Sequence, residues 1–535
     1  MKKIFKTINF TILASSLLFM GSCKDFLDTN TSVDTEEGMA LSSAGQLQMV
    51  LTSAYRQLYF NDQGADRVYA GLPGLQMYVD LGGADIISHD NMGGTQVQSY
   101  EYDPTIRLMA GNSDAIWSMM YKIINQTNKI IHAVPAAQGD EAIKKQILGQ
   151  AKAIRGICYF HLIQNYQQTY MIAKENPAEK KGVILRLDPK EDLNLPRATV
   201  QEVYDQILAD LGESKTLLKG FGRSDKWTIN EDIVSGQLAR VYLVMNNWQG
   251  ALTEATAVYN KYSQLMTRDQ YRSGFDDAIT NAYPEVVWAM KFTATNNLGG
   301  STQFNFWFNQ DEKYGEGYDQ GPIYSFLDFF VDGQYEKLFE KTEDRYQFWK
   351  RTKNTNTLVS TKWAYDKYKH YGDANGGVQG NTRPEVTLMR GSEMLLIMAE
   401  ASAQLNNGMG LSYLNRLQTA RGVKNLTKAA AGNPLLEAIY VERRKELLCE
   451  GVTGLYDLLR LQKPLTRIQE TPTYVEGHYT WGMKNLYGWD PKSPNPTGTI
   501  PSNDYRFICQ IPQLEMTRNT ALTEKDQNPS EGQKK

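Results

Sequence analysis

Apolar residues recur at helical spacing in the stretch 146–166, QILGQAKAIRGICYFHLIQNY. The residues that lie three or four positions apart are Ile147, Ala151, Ile154, Cys158 and Leu162. This spacing places them on one face of a helix, and the large side chains between them widen the face until little polar surface is left. The pattern therefore predicts a helix that is buried in the core.

Two later stretches have the same character, residues 235–248 (SGQLARVYLVMNNW) and residues 392–405 (SEMLLIMAEASAQL). Small residues let helices approach closely, and large ones fill the grooves between them. Repeated segments of this kind stack as helical hairpins, the tetratricopeptide-like arrangement, although the period here is irregular and the full consensus is absent. Much of the chain is therefore predicted to be a framework of helix pairs.

Periodicity and capping signals predict the other helices. Thr199 and Glu202 have capping-box spacing, in which side chains and backbone at a helix start exchange hydrogen bonds. A run of charges at 442–446 is predicted to be a solvated or bridging face, with pairs such as Arg443 and Glu446. The predicted helices span residues 42–59, 113–134, 141–166, 197–218, 228–248, 249–262, 392–405, 411–421 and 435–461.

Two regions lack helical periodicity and are candidates for ligand binding. Residues 61–112 are rich in glycine, aspartate and asparagine, which predicts a long loop region set on the scaffold. Binding residues accumulate in such loops, so Asp85 and Tyr100 are taken as candidate ligand contacts. From about residue 266 to 384, glycine and aromatic residues are dense and short alternating runs replace long ones, which predicts an irregular lobe.

The most specific candidate site in this lobe is the alternating run FNFWFN at 304–309. Asn305, Trp307 and Asn309 share one side of a predicted strand. A tryptophan ring flanked by amides suits a sugar, because the ring packs on the apolar face of a pyranose and the amides bond its hydroxyls. The alternative is that Trp307 only closes the core from outside. Further candidates in the following glycine-rich loop are Tyr314, Tyr318 and Tyr324.

The N-terminus predicts export and a lipid anchor. Lys2, Lys3 and Lys6 precede an apolar run at 8–20, which ends in Met-Gly-Ser directly before Cys23. The run is shorter than the ~20 residues of a spanning helix, so it predicts a cleaved signal. It resembles a bacterial lipoprotein signal, in which Cys23 becomes the lipidated first residue and several acyl chains hold the protein stably at the membrane.

Composition and charge narrow the classes of function. The 535 residues are 41% hydrophobic and 22% charged, enough for a large core. The net charge is −3, and −6 without residues 1–22, which does not favour nucleic acid. Three cysteines remain beyond Cys23, and buried thiols are favoured over a disulfide; they are Cys158, Cys449 and Cys509. The five histidines are scattered singly, so no transition-metal site and no cofactor are predicted.

These observations divide the chain into six parts. The signal peptide takes residues 1–22 and the tether 23–41. The N-terminal tetratricopeptide-like part with inserted loops spans 42–265, the aromatic-rich ligand lobe 266–390 and the C-terminal helical part 391–461. A loop-rich segment, 462–535, is predicted to pack on the helical framework.

Several segments taken together, in this order, resemble the motifs of the SusD/RagB lipoproteins. The segments are IWSMMYKIINQTNKI, AKAIRGICYFHLIQNY, RATVQEVYDQILADL, residues 235–248, RGSEMLLIMAEASAQL, LNRLQTARG, IYVERRKELLCEGVTGLYDLLRL and CQIPQLEMTRNTALTEKDQNP. The resemblance runs from Cys23 to the C-terminus. One departure is at 450–458, which lacks the Arg-Trp usual in the family, a change expected to affect packing. The family's ligand contacts lie on variable loops, so none is carried over.

The resemblance implies about four tetratricopeptide-like helix pairs supporting the loop-rich, irregular ligand lobe. It implies an outer-membrane lipoprotein facing the cell exterior, which binds a nutrient, most often a glycan, without catalysis. Its partner would be a TonB-dependent transporter of the SusC type. The alternatives are a peptide or other nutrient as ligand, a helical-repeat scaffold for protein alone, and a glycan-degrading enzyme. No GxSxG, HExxH, P-loop or Rossmann motif supports an enzyme.

Overall fold

The fold is built mainly from α-helices, which confirms the predicted class. The computed structural model describes residues 41–530 apart from 61–70, 89–99, 103–111, 177–179, 190–192, 274–282, 291–328, 352–362, 366, 368–385, 430 and 472–482. The helices are α1 Ala44–Phe60, α2 Gly71–Leu81, α3 Asn112–Ala133, α4 Glu141–Tyr166, α5 Tyr170–Ala173, α6 Val200–Leu217, α7 Glu231–Val244, α8 Trp248–Lys261, α9 Arg268–Ser273, α10 Gly333–Glu336, α11 Gly391–Gln404, α12 Gly410–Ala420, α13 Gly432–Leu447, α14 Gly454–Arg460 and α15 Gln513–Arg518.

The long helices pack in pairs, four of them within the described ranges. They are α1 with α3, α4 with α6, α7 with α8, and α11 with α12. Neighbouring pairs contact each other through α3 and α4, α6 and α7, and α8 and α11, so the pairs form one continuous stack. Each pair buries its apolar faces against its neighbours, as in helical repeats. The predicted helix-pair framework is present.

The central helix α4 begins and ends where its signals predict. The Asp140 carboxylate accepts hydrogen bonds from the backbone of Ala142 and Ile143, at 2.9 and 3.0 Å, and so caps the N-terminus. Inside the helix, Arg155 forms a buried ion pair of 2.6 Å with Asp210 of α6. The predicted capping box at Thr199 of α6 is also confirmed.

The strands are short and form three small antiparallel sheets among the described residues. They are β1 Ile86–Ser88, β2 Val286–Met290, β3 Phe329–Val331, β4 Trp349–Arg351, β5 Trp363–Tyr365, β6 Val386–Arg390, β7 Leu465–Ile468 and β8 Thr497–Ile500. One sheet has the order β1-β3-β5-β4, and the others pair β2 with β6 and β7 with β8. The β2–β6 pair contacts α7 and α11, which joins the predicted lobe to the helix stack.

The prediction of a continuous loop region at 61–112 is wrong, because α2 and β1 lie within it. All eleven residues of α2 are buried, so the helix has no polar face and no amphipathic period to detect. The region approaches α14 very closely at Gly454, where an added Cβ would lie 2.4 Å from the Val79 carbonyl oxygen. Gly454 has a φ of +44°, which also favours glycine.

A distant segment of the chain completes the C-terminal end of α4. The last carbonyl groups of a helix have no partner within the helix. Here the Asn528 side chain donates to the carbonyl oxygens of Tyr166 and Cys509, at 2.6 and 2.7 Å. The Cys509 backbone N–H in turn donates to the Asn165 carbonyl oxygen at 2.7 Å. We call these three bonds the α4 clasp.

The three cysteines beyond Cys23 are buried, as predicted, and none takes part in a disulfide bond. Burial raises the pKa of the Cys158 thiol far above its usual range, and burial likewise raises that of Cys449. Both side chains are therefore neutral thiols that pack as small apolar groups.

Candidate functional site

Most of the predicted ligand-binding residues lie outside the described residues. They are Asn305, Trp307, Asn309, Tyr314, Tyr318 and Tyr324, and the predicted lipidation site Cys23 is likewise outside. The structure gives the frame on either side of the lobe segment 291–328. Met290 ends β2 and pairs with Val386, and Phe329 begins β3 and pairs with Ser88.

The four-stranded sheet brings separate parts of the chain to one of its ends. Ser88, the last residue of β1, is paired with Phe329, the first residue of β3. Because β5 runs antiparallel to β3, its last residue Tyr365 lies at the same end. We call this the loop end of the sheet. The segments that connect there are 89–99, 291–328 and the residues that follow Tyr365.

Asp85 and Tyr100 lie in the interior, and both have structural partners. Asp85 is 9% exposed, and its carboxylate accepts two hydrogen bonds from the Arg444 guanidinium, one of them 3.1 Å from Nε. Tyr100 is fully buried, with the Arg467 guanidinium 4.2 Å from its ring centre. These contacts occupy both side chains in holding β1 and its surroundings to α13 and β7. We therefore propose neither residue as a ligand contact.

A large group of buried ionic side chains joins the lobe to the C-terminal helical part. Its members come from β6, the residues before β2, the segment 343–367 and the C-terminal helices. We call it the buried charge network, and its members are Glu285, Glu343, Arg345, Lys367, Arg390, Arg421, Glu442, Lys445, Glu446 and Glu450. Every one of these residues is at most 6% exposed at its side chain.

Arg390 is the residue at which the network converges. Its guanidinium is completely buried and pairs with Glu285, with Glu446 at 2.7 Å and with Glu450 through both Nε and Nη2. Arg421 bonds Glu285 and Glu446 from the other side, at 3.0 and 2.8 Å. The two arginines thus hold the carboxylates between them, and every charge has an opposite charge beside it.

The electrostatics keep the network ionised. Burial alone would raise the pKa of Glu446, yet the Arg421 and Arg390 guanidinium groups hold it well below its usual range. The same two arginines lower the pKa of Glu285 against the effect of burial. For Glu442, Arg345 and Lys445 outweigh burial and lower the pKa. Glu285, Glu442 and Glu446 therefore stay charged at a lower pH than an ordinary glutamate does.

Residues 442–446 were predicted to form a solvated or bridging face; the run is bridging, and the solvated alternative is wrong for most of it. Glu442, Arg443, Lys445 and Glu446 are each at most 5% exposed. Arg443 does not pair with Glu446; its Nε donates to Asp457 of α14 at 3.1 Å. The run lies between the lobe and α14, and burial of paired charges there replaces contact with water.

A small, partly open cleft lies between α2, α4, α7, α14 and the β2–β6 pair. One wall is apolar and is formed by Leu72, Leu75, Phe160, Leu243, Trp288 and Leu388. His161, on the cleft side of α4, stacks with the Tyr456 ring at 6.4 Å. Burial, aided by the charge of Arg240, lowers the pKa of His161 to about 3, so the imidazole is neutral.

The polar groups that line the cleft include an ion pair as well as atoms without a hydrogen-bond partner. Arg240 bonds Glu393 through two hydrogen bonds of 2.7 Å, which balances both charges. In contrast, Gln76 Oε1, Gln237 Nε2 and Arg443 Nη1 are buried and have no hydrogen-bond partner. Nothing in the sequence pattern signals this cleft, because its lining comes from eight separate elements. The described residues contain no cluster of histidine, cysteine and carboxylate side chains able to hold a metal ion.

The described residues thus combine a stack of helix pairs with three small sheets and a buried charge network. A family profile described as "starch-binding associating with outer membrane" matches residues 25–243, and the SusD family profile matches residues 329–530. The chain belongs to the SusD/RagB family.

Relatives and solved structures agree with this assignment. The SusD-like protein P2 of Formosa agariphila is 24% identical over 451 residues, which cover 77% of this chain and 80% of that protein. A SusD-like carbohydrate binding protein from Bacteroides vulgatus has a TM-score of 0.72 at 24% identity, over 92% of this chain and 99% of its own. A laminarin binding SusD-like protein has a TM-score of 0.63 at 18% identity, over 91% and 99% of the two chains.

Proposed function

We propose that this protein is a non-catalytic, cell-surface lipoprotein that binds a glycan and delivers it to a partner TonB-dependent outer-membrane transporter of the SusC type. The observation that carries the proposal is the match of two family profiles, one described as starch-binding and outer-membrane associating, to 25–243 and 329–530. A solved relative of the same fold is described as laminarin binding. The tripartite signal before Cys23 supports a lipid anchor.

The ligand site is proposed to lie on the lobe, at the loop end of the sheet. The segment that contains Asn305, Trp307 and Asn309 returns to the framework at Phe329, which is at that end. Tyr314, Tyr318 and Tyr324 belong to the same segment. The buried charge network ties the lobe to the C-terminal helices, and a preorganised framework lowers the entropy that is lost when loops bind a ligand.

Affinity gel electrophoresis of the protein against neutral and acidic polysaccharides is the first test. Retardation by one polymer would establish a glycan-binding protein and its substrate class. If no polymer retards it, glycan binding is contradicted, and peptides or other small nutrients become the ligands to assay. Release of reducing ends from a retarding polymer would contradict the non-catalytic part of the proposal.

Anchor and partner are tested separately in cells. Wild-type protein should fractionate with outer membranes and co-purify with a transporter, whereas Cys23→Ala should leave the membrane fraction. Unchanged fractionation of that variant would exclude Cys23 as the lipidated residue.

Replacement of Trp307 by alanine should weaken glycan binding by about 1–3 kcal/mol, because the stacking surface for the sugar is lost. Isothermal titration calorimetry with oligosaccharides of the retarding polymer measures the change. Trp227→Ala is the matched control, since Trp227 is 37% exposed on the helical framework. We expect wild-type affinity in the control and similar melting temperatures in both variants. Wild-type affinity in Trp307→Ala would exclude this residue from the site.

A further inference from the structure

The cleft between α2, α4, α7, α14 and the β2–β6 pair contains buried polar groups that the protein itself leaves unsatisfied. Gln237 and Arg443 are each 2% exposed, and Gln76 is 7% exposed. A buried polar atom without a partner costs about 1–3 kcal/mol, so native proteins rarely keep three in one place unless something binds to them. All three side chains line the same cleft.

The orientation of the Gln76 amide is fixed by its neighbours. Its Nε2 group donates to two backbone carbonyl oxygens, those of Thr387 at 3.1 Å and Glu450 at 2.8 Å. Carbonyl oxygens accept only, so the nitrogen must face them and Oε1 must be the atom left over. These three atoms, the acceptor Gln76 Oε1 and the donors Gln237 Nε2 and Arg443 Nη1, have almost no exposed surface, so their side chains must rotate before an occupant of the cleft can bond them.

The charges around the cleft favour a neutral occupant. Arg240 is balanced by Glu393, and Arg443 shares Asp457 with Arg460, which also pairs with Glu400 at 2.6 Å. His161 is neutral because its pKa is lowered by burial. An anion or a cation would lose its hydration without gaining an uncompensated opposite charge.

We propose that this cleft is a second, internal binding site for a small neutral polyhydroxylated molecule of monosaccharide or polyol type. A hydroxyl group both donates and accepts, which satisfies Gln76 and the two donors together. The apolar side chains of Leu72, Leu75 and Trp288 can pack against the carbon skeleton of such a molecule. Water has no apolar part and cannot make this contact. Entry is from the side of His161, Gln164 and Arg240, which are partly exposed. This site is proposed in addition to the ligand site at the loop end of the sheet.

The test is ligand binding by the full-length protein in mild detergent, with glucose, galactose, inositol and glycerol as neutral probes. Gluconate and glucosamine, which are charged, serve as the comparison. We expect at least one neutral probe to raise the melting temperature and to bind in calorimetry, and both charged probes to bind at least tenfold more weakly. No stabilisation by any neutral probe would overturn the proposal.

Two variants locate the binding. Gln237→Leu removes one donor and should lower the affinity for the neutral probe about tenfold, the expected loss for one hydrogen bond. Val244→Phe enlarges a lining side chain and should abolish binding. Trp307→Ala should bind the probe as wild type does, which separates this site from the lobe. Wild-type affinity in both cleft variants, or loss of binding in Trp307→Ala, would contradict the internal site.

A crystal structure of the wild-type protein soaked in the neutral probe decides the question without any variant. Density for the probe, with an oxygen within hydrogen-bond distance of Gln76 Oε1 or Gln237 Nε2, would support the site. Density for ordered water alone at a saturating probe concentration would overturn it.

Discussion

Replacement of Arg390 by methionine is expected to lower the free energy of unfolding by about 3–5 kcal/mol. Methionine is unbranched, shorter and uncharged, so Glu285, Glu446 and Glu450 would lose the cation on which they converge. Arg421 and Lys367 would remain, but they would not balance three buried carboxylates. Since whole-protein stability is typically 5–15 kcal/mol, such a variant should unfold at markedly lower denaturant concentration.

Urea unfolding followed by circular dichroism measures this loss. Lys463→Met is the matched control, because Lys463 pairs with Glu437 at 2.6 Å on the surface, where the side chains are 27% and 61% exposed. An exposed pair of this kind contributes about 0–1 kcal/mol, so the control should unfold almost as the wild type does. Equal unfolding midpoints for Arg390→Met and the control would show that the network contributes no net stability.

The second large effect should be a steep loss of stability in acid. Four buried carboxylates, Glu285, Glu442, Glu446 and Asp457, have pKa values below their ordinary range because arginine and lysine side chains outweigh the effect of burial. Unfolded glutamate and aspartate bind protons at about pH 4.3 and 3.9, whereas the folded protein does not yet do so. The unfolded state therefore binds more protons, and stability falls as the pH falls.

The size of this loss of stability follows from the number of protons that the chain takes up on unfolding. Each proton contributes about 1.4 kcal/mol per pH unit, so four carboxylates give a slope of up to about 5 kcal/mol per unit below about pH 4.5. Asp80 acts in the opposite direction, because burial raises its pKa and the folded state binds that proton first. Melting temperatures measured from pH 8 to pH 3 should thus be nearly constant above pH 6.5 and fall most steeply below pH 4.5.

Between pH 6.5 and 4.5 we expect a smaller loss of stability, caused by His161. Its folded pKa of about 3 lies below the unfolded value of about 6.5, so only the unfolded state takes up this proton in that window. The side chain keeps some contact with solvent, so we expect about 1–2 kcal/mol over the window rather than the full linkage value of ~3. His161→Gln should flatten this part of the profile and leave the steep part below pH 4.5 unchanged. A profile identical to wild type would exclude His161 as the group responsible.

Sequence periodicity predicted the long helices well where apolar residues recur every three or four positions. The central helix is found at Glu141–Tyr166, as predicted, because its capping aspartate and its spacing of apolar residues act locally. The capping box at Thr199 was predictable for the same reason. Local signals of this kind do not depend on what the rest of the chain does.

Sequence reasoning failed where burial is complete. α2 contains Gly71, Pro73 and Gly74, residues of low helix propensity, and it is helical because the core surrounds it on all sides. Charged residues at 442–446 are normally a surface signal, but here they meet partners from Glu343 to Asp457 that only the tertiary structure brings near. No local pattern reveals such partners.

The sequence predicts the chemistry of the ligand site but not its position in the fold. The alternation around Trp307 predicts a sugar platform, but Trp307 lies outside the described residues. The next described residue, Phe329, pairs with Ser88, more than two hundred residues away, and no local pattern predicts that pairing. The internal cleft is less predictable still, because its acceptor and donors at Gln76, Gln237 and Arg443 come from three separate helices.

The α4 clasp has a consequence for the order in which the protein matures. Its bond from Asn528 to Tyr166 spans 362 positions of the chain. At a synthesis rate of about 5–20 residues per second, the helix end waits roughly 20–70 s for its partner to be made. During that interval α4, the longest helix of the described residues, has open carbonyl groups at its C-terminal end. This helix end is therefore complete only when nearly the whole chain is present.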